Sequence, residues 1–136
     1  MIRVCLDSNV LVAAFAARGL CSDLLAHVLG EQHLVVPDIV RKESVRVLTQ
    51  KFKLSAEALE SVTAVLDRCE AAPASGEPSP VPVRDPDDEL VLADAVAAGV
   101  QVLVTGDKDL LEIAEQSPIP ILSPRAFMML TRGGAL

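Results

Sequence analysis

The chain has no tryptophan, no tyrosine and only three phenylalanines in 136 residues. Modules that hold single-stranded nucleic acid by stacking its bases need several aromatic faces. Phe15, Phe52 and Phe127 are too few and too scattered to supply them. Any nucleic-acid contact would then rest on ions and on the sugar-phosphate backbone. Cysteine is also scarce. Cys5, Cys21 and Cys69 are odd in number, and no two have zinc-finger spacing. They are expected to be free thiols in a reducing cytoplasm. Long apolar runs are missing too: the longest is Val10 to Ala17, far short of the roughly 20 residues that span a bilayer. Met1-Ile2-Arg3 leads straight into a strand-like run, so no secretion signal is expected. Positive charge is the last shortage, with 12 Lys and Arg against 19 Asp and Glu and a net charge of −7. Taken alone, that balance disfavours a phosphate-binding surface, although a bound cation would cancel several of the negatives.

What the chain does have is core-forming material, 51% hydrophobic against 23% charged. That composition predicts an ordered chain, and its length predicts one domain over residues 1–136. Residues 2–6 read as a strand ending at Asp7. Ser8-Asn9 can cap a helix over Val10–Ala17, which Arg18-Gly19 breaks, and Ser22 or Asp23 can cap the next helix, to about Gly30. His33–Val36 reads as a second strand. Pro37 then suits the first turn of a helix to about Lys51, and Ser55 starts another, to about Cys69. Ala71–Pro82, rich in Pro and Ser, reads as a loop with a short edge strand around Val81–Val83. A helix from Asp85-Pro86 to about Ala98 follows, then a strand Gln101–Thr105, a helix from Asp107 to about Glu115, a strand Ile119–Leu122, and a helix capped by Ser123 to about Leu130. Strands alternating with helices predict an α/β domain around a mostly parallel sheet.

Against this pattern four carboxylates stand out. Asp7 and Asp107 follow apolar strand-like runs, where α/β sheets bind ligands outside the carboxyl ends of their strands. Each could equally cap the next helix; for Asp7, Ser8 and Asn9 could take that role and leave its carboxylate free. Glu43 shares i, i+3, i+7 spacing with Val40 and Val47, which predicts that it points toward the sheet. The competing reading is a buried ion pair with a nearby Arg or Lys. Asp88 heads the apolar line Leu92, Ala95, Val96, Gly99, but it also sits among Asp85, Asp87 and Glu89 at a helix start, where the helix dipole welcomes acids. Gathered together, such carboxylates repel. Two unit charges about 4 Å apart interact by roughly 4 kcal/mol at an effective dielectric near 20, and a divalent cation is the natural relief. Carboxylate oxygens suit Mg²⁺ or Mn²⁺, whereas zinc would favour His or Cys; His27 and His33 have no partner at ligand spacing.

The ordered set Asp7-Ser8-Asn9-Val10-Leu11, Glu43 on the helix after the second strand, Asp85-Pro86-Asp87-Asp88-Glu89-Leu90 and Val104-Thr105-Gly106-Asp107-Lys108-Asp109-Leu110 resembles PIN-domain nucleases over nearly the whole chain. The likeness extends to the VapC-type toxin ribonucleases of toxin–antitoxin pairs. It implies a three-layer α/β/α sandwich and a metal-dependent phosphodiesterase acting on single-stranded RNA. It also implies metal-binding and catalytic roles for Asp7, Glu43, Asp88 and Asp107, with Asn9, Thr105 and Asp109 auxiliary. The register among Asp85, Asp87 and Asp88, and between Asp107 and Asp109, stays open. A neutralising antitoxin is expected as a partner, with a homodimer or higher oligomer beside it. Arg41, Lys42 and Arg46 make one helix flank basic and are candidate RNA contacts, with a plain solvated surface as the bland alternative. Competing functions are a non-catalytic binding module on the same fold and a phosphatase with an Asp nucleophile. The latter usually wants a second Asp where this chain has Asn9.

Overall fold

The computed structural model describes residues 1–134; the last two positions of the expected domain lie outside the described residues. Five strands form one parallel sheet: β1 (Arg3–Leu6), β2 (His33–Pro37), β3 (Glu70–Ala72), β4 (Val102–Val104) and β5 (Ile121–Leu122), in the order β3-β2-β1-β4-β5. Helices α1 (Ser8–Ala16), α2 (Leu20–Glu31), α3 (Asp38–Gln50), α4 (Ala56–Asp67), α5 (Pro86–Ala97), α6 (Lys108–Glu112) and α7 (Pro124–Arg132) complete a three-layer α/β/α sandwich. The central strands are continuous apolar runs because a parallel sheet is covered on both faces: Val4, Cys5, Leu6, Val102, Leu103 and Val104 are all buried. Phe127 is the largest fully buried side chain, and it anchors α7 to the core.

The chain leaves β1 toward β2 on one side, and β4 lies on the other, so the strand order reverses between β1 and β4. Open α/β sheets bind ligands at such a switch point. The register pairs Leu6 with Val104, and the Asp7 N–H donates to the Val104 carbonyl at 2.9 Å. The residues after these two strands are thereby held side by side.

Several local expectations are corrected. The edge strand is Glu70–Ala72, not Val81–Val83. Pro80 and Pro82 remove ladder donors around Val81, and the Val83 N–H donates to the Glu89 carboxylate instead. Pro37 closes β2, pairing with Ala72, and caps α3 rather than lying in its first turn. Its ψ of 146° is extended, which suits the ring's fixed φ equally well. Helix α2 starts at Leu20, so Ser22 lies inside it and reaches back to accept from the Gly19 N–H. Helix α6 stops at Glu112 and gives way to a 3₁₀ turn, Ala114–Gln116.

At the amino ends of the strands an ion cluster ties three of them together. Arg3 donates to both Glu70 oxygens, at 2.9 and 2.7 Å, and His33 Nε2 lies 2.9 Å from one of them. Arg3 also donates to the carbonyls of Ala98 and Gly99. Two hydrogen-bonded contacts fasten the 73–84 loop to α5. One is from Val83 to Glu89; in the other, the Ser75 N–H and hydroxyl both donate to the buried Asp94. No single helix among the described residues is long and apolar enough to cross a membrane.

Candidate metal centre

Asp7 follows β1, is the N-cap of α1 and lines the cleft at the carboxyl end of the strand. Its Oδ1 accepts from the Ser8 N–H at 2.8 Å. Its Oδ2 accepts from the Thr105 hydroxyl at 2.8 Å and from the Asn9 amide at 3.1 Å. The expectation that Ser8 or Asn9 would cap in its place is therefore corrected: Ser8 is the first helical residue, and its N–H is what Asp7 receives. Asp7 is almost fully buried, and burial pushes its carboxyl above the ordinary range against the pull of those three donors.

Thr105 and Asn9 join the two strand ends. The buried Thr105 hydroxyl donates to Asp7 and accepts from the Asp107 N–H at 3.0 Å. Asn9 Oδ1 accepts from the Gly106 N–H at 2.9 Å, while its amide donates to Asp7 and, at 3.3 Å, to Thr105. A Cβ at position 106 would lie 3.3 Å from Asn9 Oδ1, so Asn9 would have to shift by a few tenths of an ångström. Sequence reasoning missed Gly106. The only signal was a glycine beside two acids at a strand end.

Asp107 caps α6 by accepting from the Asp109 N–H. Asp88 enters from the first turn of α5. It is 8% exposed, whereas Asp85 and Asp87 beside it are exposed. The Asp88 Oδ2 is buried with no hydrogen-bond partner. Burial first, then the charges of Asp107, Asp7 and Asp85, hold its carboxyl up to about 7. One oxygen each from Asp85, Asp88 and Asp109 lie within 4.8 Å of one another. In the sequence Asp85 is only a register alternative to Asp88, because the helix dipole accounts for acids at a helix start. It is the cap of α5, through one oxygen, which accepts from the Asp87 N–H.

Glu43 departs from its expected position. The inward line of α3 is Val40, Ser44, Leu48, at i, i+4, i+8, which leaves Glu43 on the flank with its side chain 42% exposed. Arg46, one turn on, donates to both of its oxygens, at 2.7 and 3.3 Å. The pair is an exposed-flank ion pair, not a buried one. Glu43 still lines the cleft of about 290 Å³ that also holds Asp7, Asn9, Asp85, Asp88 and Asp107. A neighbouring cavity of about 530 Å³ shares Glu43 and Ile39 and is bordered by Lys42. Of the three candidate RNA contacts, Arg46 is engaged with Glu43 and Arg41 with Asp67 at 2.7 Å. Lys42 makes no ion pair among the described residues.

No ion pair reaches Asp7, Asp85, Asp88, Asp107 or Asp109 among the described residues. An all-oxygen donor set, a buried orphan oxygen and unrelieved repulsion fit a hard divalent cation. The histidines lie elsewhere: His33 on Glu70 at the other end of the sheet, and His27 edge-on to Phe127.

Solved structures similar in fold include the following two. One is VapBC2 from Rickettsia felis bound to a DNA fragment from their promoter, at 18% identity and a TM-score of 0.63, covering 89% of this chain and 97% of that one. The other is DNA-bound VapBC from Salmonella typhimurium, at 19% identity and a TM-score of 0.58, covering 91% and 99%. No curated protein matches the sequence. The family model of the PIN domain matches residues 3–109. That span runs from the first strand through every acid of the cleft, and with it the chain belongs to the PIN-domain family.

Proposed function

We propose that this protein is a divalent-metal-dependent endoribonuclease that cleaves single-stranded RNA, and that it is the toxin of a toxin–antitoxin pair. The observation that carries the reading is the convergence of carboxylates without cationic partners at the β1/β4 switch point, one of them with a buried orphan oxygen, on a PIN-domain fold. Asp7, Asp88 and Asp107 would hold Mg²⁺ or Mn²⁺, with Glu43 on the cleft wall. The bound ion supplies positive charge that relieves the carboxylates, acidifies water and stabilises the oxygens of a phosphodiester.

The chain's own residues do the rest. Ser8, Asn9 and Thr105 fix both Asp7 oxygens in place. Arg46 fixes Glu43, whose carboxylate borders the open side of the cleft and can orient the attacking water. Water would attack phosphorus in line as the bond to the leaving oxygen breaks; the water's proton would pass to a cleft carboxylate and the leaving oxygen would take a proton from solvent. Lys42 is the one candidate cation left to meet the RNA backbone. The toxin reading draws on the likeness to two structures named as VapBC, and it brings a cognate antitoxin and a second copy of the chain as partners. The free thiols Cys5, Cys21 and Cys69 support a cytoplasmic setting.

The test is cleavage of single-stranded RNA with Mn²⁺ and with EDTA. Activity should require the metal and fall by at least about 100-fold in Asp7→Asn. Full activity of Asp7→Asn would defeat the assignment.

A further inference from the structure

The cavity beside the acid cleft is not part of the metal centre. It holds about 530 Å³, within the range of small-molecule sites, and it shares Ile39 and Glu43 with the cleft. Helix α5 borders both. Asp88 stands in the cleft, and Asp94, six residues on and roughly 9 Å along the helix axis, borders the cavity. A strand whose phosphate sits at the acids can therefore lay a neighbouring base in the cavity.

Asp94 is the unusual member of the lining. It is 5% exposed, and no ion pair reaches it among the described residues. Its Oδ1 accepts from the Ser75 N–H at 3.0 Å and from the Ser75 hydroxyl at 2.8 Å, which clasps the 73–84 loop. Its Oδ2 accepts from no donor among the described residues, yet it is not sealed from solvent. The clasp accounts for one oxygen. A nearly buried carboxylate oxygen without a donor is costly, and a ligand's N–H would relieve it. Leu90, one turn before Asp94, is 49% exposed on the same wall, and Ile39 adds apolar surface from α3. Asp38 and Glu77 also border the cavity and disfavour a phosphate inside it. Lys42, free of ion pairs among the described residues, borders it as well.

We infer that this cavity is a nucleobase pocket. It takes a base beside the scissile phosphate, with Asp94 Oδ2 accepting from an exocyclic amino group, Leu90 and Ile39 packing on the ring, and Lys42 meeting the phosphate outside. The inference rests on the ribonuclease reading and gives it a specificity-determining residue. Cytosine, adenine and guanine carry such an amino group. Uracil offers only an N–H flanked by two carbonyl oxygens, which a carboxylate repels. The pocket should therefore disfavour uracil by about tenfold, the worth of one charge-assisted hydrogen bond.

The experiment titrates CMP, AMP, GMP and UMP into the full-length, ¹⁵N-labelled protein in EDTA and follows the backbone amides by NMR, a readout that needs no metal. The first three should shift the amides of Ile39, Gly76, Leu90 and Asp94 and bind about tenfold more tightly than UMP. Asp94→Asn keeps an oxygen for Ser75 and turns an amide N–H toward the base. Its preference should vanish or invert, with retained protection of the Ser75 amide from hydrogen exchange showing the clasp intact. Leu90→Ala should weaken all four nucleotides alike. The same base ratio should appear in kcat/KM for Mn²⁺-dependent cleavage of oligoribonucleotides that differ at one position beside the cut. Equal binding of the four nucleotides by wild type would overturn the pocket, as would a preference that survives in Asp94→Asn. No shift at these amides with any nucleotide would overturn it too and leave the cavity to a protein segment. Metal-dependent cleavage without base preference would overturn the pocket and leave the nuclease reading standing. Base-selective binding without cleavage would support the pocket and defeat the nuclease reading.

Discussion

The two ends of the sheet treat carboxylates in opposite ways. At the amino ends of the strands, Glu70 meets the Arg3 guanidinium and the His33 ring, and those partners hold its carboxyl down to about 2. At the carboxyl ends, Asp88 meets other acids and is held up to about 7. Glu70 is half-exposed and relieved, whereas Asp88 is buried and unrelieved. A fold under selection for stability alone would arrange charges as the first end does. The second end carries a standing cost, which a bound divalent cation would offset. That difference, more than any one residue, separates a structural ion cluster from a candidate reaction site.

The strongest way to break the contrast is Asp88→Asn. Cleavage should fall by at least about 100-fold, while the metal-free protein becomes more stable. The sign follows from linkage. A carboxyl raised from 3.8 to about 7 favours folding while protonated, and that advantage is lost as pH rises through this window. In EDTA at pH 8 the variant should gain on the order of 1–3 kcal/mol, a shift of several degrees in Tm, and the gain should vanish near pH 4. Thermal melts across pH check it, and a loss of stability at pH 8 would contradict the contrast.

A smaller effect is expected at Gly106. The alanine Cβ would press on Asn9 Oδ1, disturbing the clasp that orients Asp7. Gly106→Ala should cost about 1 kcal/mol and weaken Mn²⁺ binding in calorimetry, with the fold intact by circular dichroism.

The smallest effect is at the relieved end. Glu70→Gln removes a carboxyl whose folded value is depressed, so its stabilisation is present above about 4.5 and lost as pH falls toward about 2. Because the pair is more than a third exposed, the cost at pH 7 should stay under about 1 kcal/mol. The gap between variant and wild type should narrow as the pH of the melts drops from 5 to 3.

The acids at the carboxyl ends of the strands were unequally legible in the sequence. Asp7 and Asp107 each ended an apolar run, and the alternation of strands and helices made a sheet whose strand ends could meet. Which strands are neighbours was not visible, because order in a parallel sheet is set by crossovers and not by local pattern. Glu43 was misplaced because i, i+3, i+7 and i, i+4, i+8 are both good helical spacings. Val47 is itself only partly buried, and Ser44, a polar residue, takes the inward line by donating its hydroxyl to the Val40 carbonyl. Strand β3 was hidden because Glu70-Ala71-Ala72 has little β propensity; pairing with β2 and the Arg3 contact make it a strand. Asp85 was absorbed by the helix dipole, which accounts for any acid at the start of α5.

The central claim is that the carboxyl ends of β1 and β4 hold a divalent cation. Crystals soaked in Mn²⁺ and measured for anomalous scattering test it most directly. The account predicts a peak bonded to oxygens of Asp7, Asp88 and Asp107. A map with no peak in that cleft, at a Mn²⁺ concentration that supports RNA cleavage in solution, would contradict it.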